Sequence, residues 1–219
     1  MSVQAWPEYP TIAESFTRNG IRASVGAVGR ESVFGPFASA FEKGDYVPPY
    51  LELLGLKASP SLQTAITRIE TALQQGDSAR WIAVLLRDGN WRPNLVGAMA
   101  MVLDPDAADC ALLWEAIDRG SWVIPQLVIA AAIVDPTIRD RIRARVAAPT
   151  NAKTLASILA LCAELPDLAA WREDRLRDKR VIALLADDAE LNNSDKIVAS
   201  WLAQLRMAFA ARGRMLVLR

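Results

Sequence analysis

Three sets of side chains in this chain have the type and spacing to do chemistry. Trp114 and Asp118 stand four apart in Trp114-Glu115-Ala116-Ile117-Asp118, so a helix puts an indole and a carboxylate on one face. A basic set follows: Arg139, Arg141, Arg143 and Arg145, then Arg172, Arg175, Arg177, Lys179 and Arg180. Within it Arg139 and Arg143 share one helical face, and Arg172, Arg175 and Lys179 make a second stripe. Such stripes suit phosphates or an acidic protein surface. The interleaved Asp140, Glu173, Asp174 and Asp178 offer the other reading, an exposed salt-bridged helix. The third set is Trp91 and Trp122, read either as wedges packed between structural units or as exposed anchors for a partner.

What is missing narrows the chemistry further. The chain has no histidine, which removes the commonest general base and the commonest metal ligand together. Zinc hydrolases and Ser-His-Asp or Cys-His enzymes are disfavoured, and an enzyme built here would work by carboxylates alone. The pairs Asp187-Asp188 and Asp104 with Asp106 fall at expected helix ends, where capping and the helix dipole account for them. No spacing matches a metal site, and Gly26-Ala27-Val28-Gly29 lacks the Gly-Lys-Ser/Thr of a phosphate loop. No cofactor is therefore expected. Cys110 and Cys162 lie among apolar neighbours inside expected helices, as free thiols do. Basic and acidic residues balance at 25 each, so any attraction for nucleic acid is local. With no basic-then-apolar leader and no apolar run long enough for a bilayer, the sequence reads as cytoplasmic, with no membrane partner.

The elements that must position these residues are announced by a repeat. Gly89-Asn90-Trp91 and Gly120-Ser121-Trp122 each open an apolar run, and the runs close on Asp104-Pro105 and Asp135-Pro136, every match at a spacing of 31. Gly takes the left-handed conformation that ends a helix, Asn or Ser caps the next, and Asp-Pro supplies an N-cap followed by a favoured first helical residue. Each phrase thus predicts two helices: 91–103 with 105–118, and 122–134 with 136 to about 147. A fourth, degenerate hairpin pairs 155–165 with a helix that starts at Pro166 and runs toward Leu185. Before the repeats, Tyr50 to Leu56 predicts a short helix stopped near Gly55. Ser59-Pro60 starts a longer one, and Ser78 caps another after Gly76. Asn192-Asn193-Ser194 caps a final helix, about 195–212, whose apolar stripe is Ile197, Trp201, Leu205 and Phe209. Residues 1–47, broken by Pro7, Pro10, Gly20, Gly26, Gly29, Gly35 and Gly44, form an irregular cap. Within it 21–28 reads as a short extended piece and 32–41 as a short helix, and Trp6, Phe16, Phe34, Phe37 and Phe41 are available to cover the first exposed face.

Residues 48–219 are then one all-α domain of helical hairpins. Its period, its paired helices and its Asp-Pro openings resemble the HEAT-repeat and armadillo-like superfamily of α-solenoids, as a divergent member with shorter repeats. The pair Trp114 and Asp118 is similar to one used by HEAT-like alkylpurine DNA glycosylases, and that resemblance implies an Asp assisting loss of a damaged base beside a Trp lining the DNA groove. Two functions are carried forward. The first is a non-enzymatic protein-binding module, in its narrowest form an inhibitor or immunity protein that neutralises a toxin or enzyme. Its binding residues would be Trp91, Trp122, Arg139, Arg143, Arg172, Arg175 and Lys179. The alternative is a DNA-binding protein or glycosylase using Trp114, Asp118 and the Arg-rich carboxy-terminal helices. A structural subunit of a larger assembly, marked by a large exposed apolar patch, is a third.

Overall fold

The computed structural model describes residues 33–41, 48–149, 151–185 and 190–219. The readings made for Trp6, Phe16, 21–28 and the Gly26–Gly29 run lie outside them. Every regular element among the described residues is helical. Two 3-10 segments, Gly35–Ala40 and Pro49–Leu51, lead into α1 (Glu52–Gly55), α2 (Pro60–Leu73) and α3 (Ser78–Arg87). The repeat region is α4 (Trp91–Leu103), α5 (Ala111–Asp118), α6 (Ile124–Val134), α7 (Ile138–Ala147), α8 (Ala152–Ala163) and α9 (Pro166–Leu176). The chain ends with α10 (Lys179–Leu185) and α11 (Glu190–Ala210).

The apolar runs form the middle of the molecule. All 11 residues of α6 are buried, as a helix apolar all round its circumference requires. Neighbours on every side enclose it: α4, α5, α8 and α11. In α4 everything from Pro93 to Leu103 is buried, and in α8 everything from Thr154 to Cys162. The second helix of each pair is amphipathic instead. Ile138, Ile142 and Val146 turn inward from α7, with charged residues between them. The last helix, α11, lies along α8 and α6 and reaches α1, where buried Trp201 donates Nε1–H to the Leu53 carbonyl at 2.8 Å. Phe34 and Phe37 are buried in the same core. The extended tail returns to the carboxy-terminal ends of the middle helices: Arg214 donates to Leu103 O at 2.9 Å, and the Arg219 backbone N–H to Ala132 O at 2.8 Å. These arginines satisfy carbonyls that a helix end leaves open.

Several boundaries depart from the sequence reading, each for a local reason. The Asp-Pro steps make turns before the helices. Asp135 accepts from Thr137 N at 2.7 Å and α7 begins only at Ile138. Asp104 accepts from Asp106 N at 3.3 Å, and Asp109 then accepts from Ala111 N at 2.8 Å, which delays α5 to Ala111. Aspartates compete with the helix for backbone donors in this way. The carboxy-terminal helix starts at Glu190 with 192–194 inside it, and Ile197 stands 39% exposed while Val198, Trp201, Leu202 and Leu205 carry the buried stripe. The helix from Pro166 breaks at Arg177-Asp178, where Asp178 accepts from Arg180 N at 2.9 Å. Leu56, not Gly55, takes the left-handed conformation (φ 49°) after α1, its side chain anchored in the core.

Candidate functional site

The two copies of the repeated phrase turn differently, and that difference builds the most exposed feature of the middle helices. Before α4 the chain leaves Asp88 in an extended conformation, Asp88 accepts from Asn90 N, and Asn90 caps the helix by accepting from Arg92 N at 3.0 Å. Trp91 becomes the first helical residue. In the second copy Gly120 takes φ +84°, closing α5 with bonds from Gly120 N to Ile117 O and from Ser121 N to Ala116 O. That is the Schellman pattern. The Ser121 hydroxyl is then buried without a partner and caps nothing. The following helix starts only at Ile124, so Trp122 stands ahead of it and is 52% exposed.

Trp91 and Trp122 meet, with ring centroids 5.1 Å apart. They end a ladder of rings running from Phe34 to Phe41 (4.6 Å), Tyr50 (5.8 Å) and Trp91 (5.9 Å, edge to face). Arg92 braces it, lying over Trp91 at 4.9 Å and donating Nε–H to the Tyr50 hydroxyl at 3.0 Å. The Lys153 ammonium sits 5.7 Å from the Trp122 centroid. Both repeated tryptophans therefore belong to one aromatic surface at the amino-terminal ends of the middle helices, buried at Phe34 and open at Trp122.

That open end borders a groove of about 640 Å³ between the start of α6, the start of α8 and the first half of α11. Trp122, Pro125, Gln126, Lys153, Lys196 and Ile197 line it, over a floor that includes Leu54 and Trp201. Of these only Trp122 is among the residues the sequence singles out for binding. Gln126 carried a signal of its own, as the lone amide in the apolar run of α6.

Trp114 and Asp118 do not share a cavity. Trp114 is 2% exposed and donates Nε1–H to Asp135 at 2.7 Å. Asp118 is on the surface, held by the Arg145 guanidinium at 3.2 and 2.8 Å, and Arg145 also lies 4.1 Å over the Trp114 ring. The buried carboxylate is Asp135, at 0% exposure, which accepts from Thr137 N and Oγ1 and from Trp114, and pairs with Arg141 at 2.9 Å. Burial alone would raise this carboxyl. The Thr137 and Trp114 hydrogen bonds and the Arg141 charge outweigh it, and the group lies below its ordinary value.

The arginine stripes are largely engaged within the chain. Arg139 grips Asp167 at 2.6 and 3.0 Å, a bond that holds Asp167 below the ordinary carboxylate range. Together with Arg87 to Glu115 and Arg145 to Asp118, it links α3 to α5, α5 to α7 and α7 to α9. Arg172 donates to Leu159 O at 2.8 Å and reaches Glu173 and Asp195. Arg143 and Arg175 face Asp140 and Asp178 more loosely, at 3.7 and 3.8 Å, and Lys179 is exposed. No group of three or more acidic, Cys or His side chains placed to hold a metal occurs among the described residues, and no described helix is long and apolar enough to cross a membrane. Comparison with protein-family models, with curated proteins and with solved structures gives no match.

Proposed function

We propose that this protein is a helical-repeat binding module, a short HEAT-like solenoid that grips one protein partner through the groove beside Trp122. The observation that carries this reading is Trp122 itself: a large aromatic side chain, 52% exposed at a groove rim and backed by a braced aromatic ladder. An exposed Trp held rigid by its neighbours gives up little conformational freedom on binding and is the kind of residue that dominates interface energetics. The enclosed middle helices give it a stiff base. Arg139 and Arg172 already hold carboxylates, which a phosphate would have to displace under the nucleic-acid reading. In the narrower form of the proposal the module is a stoichiometric inhibitor, an immunity-type protein.

The test has two steps. A protein retained from native extract by the tagged chain through a high-salt wash is purified and recombined with it. A 1:1 complex is expected, weakened by Trp122→Ala at least about tenfold, as for an interface hot spot. Trp122 is half exposed, so circular dichroism should show the variant folded. The reading is overturned if the wild type retains no protein under any wash, or if Trp122→Ala leaves the recombined complex unchanged.

A further inference from the structure

The groove is lined by an amide that makes no hydrogen bond to the described residues. Gln126 is only 6% exposed, lines the groove, and its side-chain amide bonds to no described residue. The comparison is Asn94, an amide equally deep in the first turns of α4. Asn94 donates to Leu85 O, Leu86 O and Asp88 O at 3.0, 3.3 and 3.1 Å. The fold thus satisfies one buried amide three times and leaves the other open where the groove reaches it. Its amide atoms open onto the groove and are not sealed off from solvent, so a ligand acceptor would take the place of water there.

The surroundings specify what that acceptor is. Gln126 sits in the first turn of α6, whose start no side chain caps, whereas α4 and α8 are capped by Asn90 and Asn151. No side chain therefore neutralises the positive end of α6. Lys196, exposed and without an ion pair among the described residues, and Lys153 both line the groove, and no described lining residue is a carboxylate. Beside this positive corner lie Trp122, Pro125 and Ile197, an apolar surface that a free inorganic anion would not cover.

We infer that the groove receives an acidic–apolar peptide segment of the partner. A Glu or Asp carboxylate accepts from the Gln126 amide and from Lys196 at the start of α6, while an adjacent apolar side chain lies against Trp122 and Ile197. This rests on the Trp122 groove reading above and names the partner's chemistry.

The probe is acetyl-Glu-Leu-Phe-Glu-amide against its glutamine counterpart, acetyl-Gln-Leu-Phe-Gln-amide. They are titrated into the isotope-labelled full chain while the Gln126 side-chain and Trp122 indole NMR signals are followed. The acidic peptide should move both signals and bind at least about tenfold more tightly, as expected for charge-assisted hydrogen bonds. That advantage should vanish in Gln126→Leu and in Lys196→Glu, the latter an exposed substitution that tests the site even if the first variant folds poorly. Trp122→Ala should weaken both peptides alike. Equal affinity for the two peptides overturns the carboxylate assignment but leaves a Trp122-dependent groove. Inorganic phosphate shifting Gln126 as strongly as the peptide overturns the peptide assignment. If neither peptide moves either signal the inference fails, whereas the binding-module reading fails only when Trp122→Ala leaves the partner complex intact.

Discussion

Replacing Asp135 by Asn separates the two copies of the repeat most sharply. The carboxylate uses one oxygen for Thr137 N and Oγ1, both at 2.7 Å, and the other for Trp114 Nε1 at 2.7 Å and Arg141 at 2.9 Å. An asparagine has one acceptor and one donor side. The Thr137 N–H is a fixed backbone donor, so the amide keeps its oxygen there and turns its NH2 toward Trp114 and Arg141. The buried indole N–H then loses its acceptor, at about 1–3 kcal/mol. Arg141 is 36% exposed, so its lost pairing is discounted to about 1 kcal/mol or less. The expected cost is about 2–4 kcal/mol at pH 7, a fall of about 1 M in the urea midpoint for a slope of roughly 2–3 kcal/mol/M. Asp104→Asn is the control. It changes the same position of the other copy, which is exposed and bound only by Asp106 N at 3.3 Å, and should stay within about 0.5 kcal/mol of wild type. Because the folded Asp135 carboxyl is depressed, its contribution is present above the unfolded value near about 3.9 and disappears as pH falls through the folded value. The gap between wild type and Asp135→Asn should therefore narrow only in strongly acidic solution. An Asp135→Asn protein as stable as wild type at pH 7, or an Asp104→Asn protein equally damaged, refutes this account.

Two further predictions concern positions outside the groove. Gly35 has φ +50°, and a Cβ there would run into the Trp81 ring. Gly35→Ala should cost at least about 2 kcal/mol from strain and overpacking, lowering Tm by about 4–8 °C; an unchanged Tm counts against it. Burial pushes the Cys162 thiol up to about 12, while Cys110 is raised more modestly, by partial burial and by the Asp135 and Asp109 carboxylates. Iodoacetamide at pH 8 should thus alkylate Cys110 slowly in the native protein and Cys162 only in urea; a mass spectrum showing native Cys162 modified would contradict the packing of α8.

Helix positions were the legible part of the chain. The apolar runs 96–103 and 127–134 map onto the buried middle helices because a helix apolar on every side can only be interior, and that signal survives a single sequence. Ser59 and Asn90 cap as read, accepting from Leu62 N and Arg92 N. What failed was the assumption that like punctuation behaves alike. Gly120 turns left-handed and Gly89 does not; Asn90 caps and Ser121 does not. The deciding interactions, such as the Asn94 amide closing the end of α3, come from positions where the copies differ, Asn94 in one and Pro125 in the other. The arginines were visible as stripes, and Arg143 with Asp140 and Arg175 with Asp178 pair locally with the interleaved acids, whereas the partners of Arg139, Arg145 and Arg172 on other helices lie 23 to 28 residues away, beyond any local pattern. The groove could not be read at all, since its sides come from α6, α8 and α11.

The divergence of the copies also shows where scaffold ends and recognition begins under the proposed function. In the first copy every element of the turn is consumed internally: Asp88 by Asn90, Asn90 by Arg92, and Asn94 by three carbonyls. Trp91 there is half-buried in the ring ladder. In the second copy the cap is missing, the helix begins later, and the amide one residue further along the repeat has no acceptor. The missing cap by itself costs stability. Together these differences place Trp122, an uncapped helix start and Gln126 side by side, where a groove opens between the middle helices and α11. Asn at 121, copying the first repeat, would not restore the cap, because α6 begins only at Ile124 with Val123 at its N-cap, and a capping oxygen serves N–H groups two or three residues on, inside the helix. Ser121→Asn is therefore expected to bring no gain in stability, and a urea midpoint raised by that change would refute this account of the turn.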